Sequence, residues 1–450
     1  MTRDLSRDPR RDLSRDLRRD LYAAAAAALL FAAAAVVGTA IERRDGTLFV
    51  NWPPLLANWG PHLGPGTLPA VVVAVAVVAY GPPLAARLPW RKLLLVGWGA
   101  GTAWTFALAL VDGWQRGVAR RLTTRYEYLQ VIDRFQDIPA ALRGFTDHIL
   151  LGSPEHWPAH VAGHPPAATL TFVYLDRIGL GGGAWAGVWC VVVGATAALA
   201  ILVTVRVLAD ERLARRAAPF LALAPAAVWL GTSADAYFAA VAAWAVALLA
   251  LAVTGHRPGL TALGSGLLFG LTVCLSYGLT LFVVPAAAVL FLGSRRGRPL
   301  LLAAAGFLVV PLALTAYGFH WWEAYDLLTT RYDQGAGGTR PQAYWVWANL
   351  ACQVLVVGLA SAAGLRRTGV ALRGGRGTAE FRLGVLVGAA LLAMLVADLS
   401  GMSKAETERI WLPFALWLLP SCAFLTGPRG WLAAQGVLAL LVNHLLRTGW

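Results

Sequence analysis

Charge is scarce in this 450-residue chain: Asp, Glu, Lys and Arg together make up 14% of it, against about a quarter in water-soluble domains. With 58% hydrophobic residues and long uncharged runs recurring from residue 21 onward, that shortage excludes an ordinary soluble domain and leaves a polytopic membrane protein. Cysteine is scarce as well. Cys190, Cys274, Cys352 and Cys422 all fall in apolar text without paired spacing, which argues against a disulfide framework and against a cysteine metal site. No HExxH motif, no cleavable signal peptide and, in the membrane region, no internal repeat of detectable length is visible, and the missing repeat weakens an inverted-repeat transporter architecture.

What is present is basic. A net charge of +14 would suggest nucleic acid in a soluble protein, but most of the arginines here sit in short gaps between apolar runs. That distribution reads as membrane orientation. Spans of roughly 20 apolar residues are expected near 21–41, 67–86, 93–111, 183–208, 217–232, 235–254, 260–276, 278–293, 299–317, 343–364, 382–398, 410–426 and 430–447, about thirteen crossings. The fold class is therefore all-α, a transmembrane helical bundle.

The first 20 residues repeat RDLSRDPR as RDLSRDLR and carry seven arginines against five aspartates, a solvated, salt-bridged or disordered tail kept in the cytoplasm. With that end inside, the basic gaps at 87–92, 209–217, 256–259, 295–299 and 366–382 all become cytoplasmic. The long segments 112–182 and 318–342, with the shorter 42–66 and 399–409, then face outward, and the first is expected to form helices lying at the interface. Three parts follow: the tail 1–20, an N-terminal hairpin 21–92 and a core 93–450. The glycine-rich piece 333–338 reads as flexible.

Ionisable groups gather at the outer ends of the spans, where they are costly to place and so mark function. Asp112 closes the third span, Glu127 lies between two tyrosines, Glu155 precedes a histidine stretch, Asp235 opens a later span, and Asp398, Lys404, Glu406 and Arg409 crowd "ADLSGMSKAETERIW". Lys404 and Arg409 suit the phosphate of an anionic lipid, with Glu406 fixing their geometry, or else form an ordinary interfacial loop. Asp112 or Glu127 can take a proton from an attacking hydroxyl, or simply cap a helix. The stretch "HWPAHVAGHPP" places His156, His160 and His164 at successive four-residue spacings. Three readings stand open for it: a zinc site, solvated interfacial histidines, or contacts to substrate or phosphate. No cofactor is firmly implied, a divalent metal stays open, and no residue is assigned as its ligand.

The many short spans, the acid at the outer end of an early span, and the stretches "GHPPAATLTFVYLDRIGL", "LAPAAVWLGTSADAYFAAVAAW" and "GSGLLFGLTVCLSYGLTLFVVPAAAVLFL" are similar to the GT-C superfamily of multi-spanning glycosyltransferases. The likeness covers most of residues 93–426. It implies a mannosyl- or arabinosyltransferase-like enzyme that uses a polyprenyl-phosphate sugar as donor. Asp112 matches the family's catalytic acid if the first two spans are an addition; otherwise Glu42 or Asp45 takes that position. Glu127 is the alternative acid of the same loop, Lys404 and Arg409 match contacts to the carrier phosphate, and Asp235, His160 and His164 fall among the substrate contacts. Two departures are the Gly113 that follows Asp112, giving no adjacent second acid, and the lack of a large soluble C-terminal domain.

The resemblance makes the expected function transfer of a sugar to a lipid or cell-envelope glycan on the extracytoplasmic face of a plasma membrane. Its partners would be the lipid-linked donor, the acceptor and membrane lipids, with no nucleic acid. The alanine-, glycine-, arginine- and leucine-rich composition suits a GC-rich, actinobacterium-like bacterial source. A transporter or flippase of a lipid-linked saccharide is the alternative, and a non-catalytic envelope scaffold the third reading.

Overall fold

The computed structural model describes the backbone of residues 9–449 and the side chains of residues 14–449. The fold is helical almost throughout. Among the described residues nine helices are long and apolar enough to cross a membrane: Ser14–Asp45, Thr67–Arg87, Trp90–Asp112, Gly183–Leu208, Ala234–Val253, Pro258–Leu275, Gly297–Ala316, Gln342–Ala371 and Ala379–Leu399. The sequence led to about thirteen crossings, and two of the other four apolar runs are interrupted at prolines. Proline supplies no N–H and clashes with the preceding turn, so it breaks helices. Pro225 lies between the short helices Glu211–Ala222 and Ala227–Leu230, while Pro413 and Pro420 divide the run after Arg409 into Leu412–Ala415 and a 3-10 stretch Leu416–Phe424. A 3-10 turn, Tyr277–Phe282, leads into Val283–Leu292, and the last run forms the helix Pro428–Leu445.

Lipid tails are as apolar as leucine, so helices in a membrane associate by close packing and polar contacts. Both are used here. A Cβ on Gly266 would stand 2.0 Å from the Ala303 carbonyl oxygen, so only glycine lets Pro258–Leu275 approach Gly297–Ala316 this closely. Within Gln342–Ala371 the chain kinks at Gly358, whose φ is 77°. The carbonyl of Val357 beside the kink is satisfied by Gln435 Nε2 at 2.7 Å.

Residues 9–20, expected as tail, continue the first helix, which runs Pro9–Asp45; residues 1–8 lie outside the described part. Asp20, fully buried, accepts from Arg366 Nε at 2.8 Å and Arg367 Nη2 at 2.7 Å, and Asp16 pairs with Arg367 at 2.8 Å. These pairs pin the first helix to the end of Gln342–Ala371. Removing one partner of a buried pair typically costs about 3–5 kcal/mol. Asp20→Asn is thus expected to lower the unfolding temperature in detergent clearly, and an unchanged temperature would show that the first helix is held by apolar contact alone.

Strand Ala57–Trp59 pairs antiparallel with Leu446–Thr448, joining the loop after the first helix to the end of the last one. This small sheet, the segment 113–182 and the helix Trp321–Gln334 lie at one end of the bundle, around the site described next.

Candidate active site

The segment after the third span folds as short helical turns around its own aromatic core. Trp157 is buried, donates from Nε1 to the Phe145 carbonyl at 2.8 Å, and carries the Arg134 guanidinium 3.5 Å above its ring. This packing fixes the flanking turns, so that Glu127 and His160 come together. In the region 318–342, helix Trp321–Gln334 is followed by a short helical turn Ala336–Thr339.

Between these segments and the loop before Arg409 lies a cavity of about 880 Å³. Five arginines (Arg121, Arg125, Arg331, Arg340 and Arg409), two carboxylates (Glu127 and Glu406) and two histidines (His156 and His160) line it. Its apolar wall includes Phe49, Leu56 and Leu151.

A connected series of polar groups forms the back of the cavity. Glu127 Oε1 lies 2.9 Å from His160 Nδ1, and His160 Nε2 lies 3.4 Å from Arg409 Nη2. Both distances are met by neutral His160 with its proton on Nδ1, donating to Glu127 and accepting from Arg409. Arg409 in turn pairs with Asp235 through Nη1, both side chains being under a tenth exposed. Asp235 is held at its helix start by Ser233, whose Oγ accepts from the Asp235 N–H at 3.1 Å and donates to Oδ2 at 3.0 Å. Glu127 Oε2, also buried, has no hydrogen-bond partner among the described residues. Burial alone would depress the pKa of Arg409, but the carboxylates of Asp235, Glu406 and Glu127 outweigh it and hold the guanidinium charged.

The turn that presents Arg409 is strained. Ala405 and Glu406 take φ values of 70° and 60°, a region costly for residues with a Cβ, and helix Thr407–Ile410 starts directly after them. Glu406 lies 3.5 Å from Arg340 and 3.9 Å from Arg409. Next to Arg409, Glu408 is fully buried, accepts from the Leu56 N–H at 3.1 Å and leaves Oε2 without a partner.

Burial, opposed in part by backbone N–H groups, pushes the Glu408 carboxyl up to about 7. A carboxyl with a folded pKa above its unfolded value, about 4.3, binds its proton more tightly in the native state. Its contribution to stability is therefore present at low pH and falls as pH rises toward 7. Glu408→Gln is expected to gain roughly 3 kcal/mol over wild type at pH 8 and little at pH 4. Equal unfolding temperatures of variant and wild type at both pH values would show that this carboxyl stays ionised in the fold.

Of the residues chosen from sequence, Glu127, His160, Glu406 and Arg409 line the cavity, and Asp235 stands directly behind Arg409. The others are placed differently. Asp112 is outside the lining, its carboxylate 2.9 Å from Arg121, 3.2 Å from Arg116 and 3.3 Å from His62. It reaches the cavity only through Arg121, whose other nitrogens include one donating to the Thr448 carbonyl. Lys404 is in the expected loop, but its ammonium donates to the Gly337 carbonyl at 3.0 Å. His164 packs against Tyr128 and Phe238, and its Nδ1 lies 2.7 Å from the His160 carbonyl. Burial lowers its pKa to about 4, keeping it neutral.

Among the described residues no three His, Cys, Asp or Glu side chains gather as they would around a metal ion. His156 instead approaches the Trp157 carbonyl, and His160 is engaged by Glu127. Four cavity arginines, Arg121, Arg125, Arg331 and Arg340, went unnoticed in the sequence, although Arg125, Arg331 and Arg340 each directly follow a threonine. Arg331 donates to the carbonyls of Ile149 and Trp157 at 2.8 and 3.2 Å, and Arg340 to those of Leu48 and Lys404 at 3.0 and 2.8 Å.

No protein-family model matches the sequence, and no curated protein does. Several solved structures resemble the fold. A crystal structure of the Archaeoglobus fulgidus oligosaccharyltransferase in complex with Zn and sulfate has 16% identity and a TM-score of 0.47, over 78% of this chain and 51% of that one. The same enzyme tethered to an acceptor peptide containing the NVT sequon gives 13% identity and a TM-score of 0.42, over 74% and 49% of the two chains. The archaeal oligosaccharyltransferase AglB from that organism, with an inhibitory peptide and a dolichol-phosphate, gives 13% identity and 0.41, over 74% and 50%. This chain spans about half the length of those structures.

Proposed function

We propose that this protein is a membrane glycosyltransferase of GT-C type that moves a sugar from a polyprenyl-phosphate donor to a hydroxyl of a lipid or cell-envelope glycan, on the extracytoplasmic face. The observation that carries this reading is the cavity itself: a buried carboxylate with an unpartnered oxygen, Glu127, stands in the same space as five guanidinium groups. Proton acceptor and anion-stabilising groups are the two requirements of transfer from a phosphate-linked sugar.

In the proposed reaction the acceptor hydroxyl oxygen bonds to the anomeric carbon as the bond from that carbon to the phosphate oxygen breaks. The hydroxyl proton passes to Glu127, and the electron pair leaves with the polyprenyl phosphate, so the configuration inverts. His160, by donating to Glu127 Oε1, would hold the carboxylate in place for the transfer. Arg409 and Arg340 would hold the phosphate as its charge develops, with Glu406 between them setting their separation. Asp235 is then a positioning residue that acts through Arg409, and Asp112 one that acts through Arg121.

The test is transfer by purified protein in detergent from a panel of radiolabelled polyprenyl-phosphate sugars, with and without a chelator. Chelator-resistant transfer to an added glycan or lipid acceptor supports the reading. Translocation of a lipid-linked saccharide with no new glycosidic bond would replace it with the transporter.

A further inference from the structure

A second basic recess lies at the opposite end of the bundle, where the first helix packs on the end of Gln342–Ala371. It is about 560 Å³ in volume and lined from one side by Arg19, Tyr22 and Ala23, from the other by Arg366, Gly369, Val370 and Arg373. The spacings i, i+3, i+4 put Arg19, Tyr22 and Ala23 on one helix face and Arg366, Gly369 and Val370 on another, with Arg373 in the turn just past the second helix, so the recess is a groove between two helical rows.

The charges in it are only partly neutralised. Asp16 and Asp20 engage Arg366 and Arg367, whereas Arg19 and Arg373 have no carboxylate within ion-pair distance among the described residues. Arg15 and Arg18 on the first helix and Arg376 beyond the second are exposed nearby. Along the first helix the lining passes from Arg19 to Tyr22 and Ala23 toward the membrane interior, in the order charged, aromatic, apolar that an interface presents. A Cβ on Gly369 would meet nothing within 4 Å, so the groove is open there.

We infer that this groove binds the phosphate-bearing headgroup of an anionic membrane lipid in the leaflet opposite the cavity. Arg19 and Arg373 hold the phosphate from the two helices, Tyr22 packs beside the glycerol level, and the chains run down the exposed flank past Ala23. Charge complementarity selects the occupant: a zwitterionic lipid brings a cation that the arginines repel, and free phosphate lacks the apolar part that the lower lining accommodates. Bound there, the lipid bridges the first helix to the body of the bundle beside the Asp20 pairs.

Native mass spectrometry of the full chain, with phosphatidylglycerol, phosphatidylcholine or inorganic phosphate added at equal concentration, tests this. Phosphatidylglycerol is expected to be retained in preference to the other two. Each arginine near an anionic lipid contributes roughly fivefold to binding, so Arg19→Gln with Arg373→Gln should weaken retention about thirtyfold. Gly369→Leu, which keeps every charge and fills the open floor, should weaken it as well. Equal retention of the two lipids, binding of inorganic phosphate as tight as that of phosphatidylglycerol, or unchanged retention in both variants would each overturn the inference. Sugar transfer is not read in this experiment, so its outcome is independent of the reaction proposed for the cavity.

Discussion

Glu127→Gln is expected to lower sugar transfer by about 10²- to 10⁴-fold while leaving the unfolding temperature close to that of wild type. The loss follows from the role: Gln keeps the shape and accepts the same hydrogen bond from His160 Nδ1, 2.9 Å away in the wild type, but cannot take up a proton. Fold should be little affected, because Glu127 Oε2 has no partner to lose. Asp112→Asn is the necessary companion. Its carboxylate neutralises Arg116 and Arg121 outside the cavity, so its loss should release Arg121 and raise KM for the donor more than it lowers kcat. If Glu127→Gln keeps most of the activity and Asp112→Asn abolishes kcat, the proton acceptor is Asp112 and Arg121 must swing away from it during the reaction.

The two carboxylates show what a sequence can and cannot disclose. Asp112 and Glu127 are both candidates in a linear reading, since one closes the third span and the other lies in the polar segment after it. Which of them meets the cavity depends on how 113–165 folds back, and that is set by the packing of Trp157, Phe135 and Phe145, residues with no period to betray it. The helical class was legible because twenty-residue apolar runs allow little else in a bilayer. The number of full crossings was less so, because Pro225, Pro413 and Pro420 break runs whose composition is apolar enough to span. Arg409 and Asp235 could each be singled out as costly charges, yet their pairing joins positions 174 residues apart and only the fold brings them together. Arg331 and Arg340 escaped notice because an arginine in a segment between spans is ordinary until a cavity forms beside it.

That buried pair carries the second large effect. Arg409→Met removes the cation paired with Asp235 in a site where the Asp235 side chain is 6% exposed, and Asp235→Asn removes the carboxylate that pairs with Arg409 Nη1. Breaking a buried ion pair from one side costs about 3–5 kcal/mol, whereas replacing both partners by neutral groups is often close to neutral. Each single variant is therefore expected to be clearly destabilised, and Arg409→Met combined with Asp235→Asn to recover most of the lost stability. Transfer should behave otherwise. A guanidinium that holds the departing phosphate is missing from the double variant as it is from Arg409→Met, so both should remain at least about 10²-fold slower than wild type. Asp235→Asn alone, which keeps the guanidinium but frees it to move, should retain measurable transfer, and Arg409→Lys should restore little because an ammonium cannot bind phosphate in a bidentate manner. Recovery of transfer along with stability in the double variant would reduce Arg409 and Asp235 to a structural pair and move the phosphate site to Arg331 and Arg340.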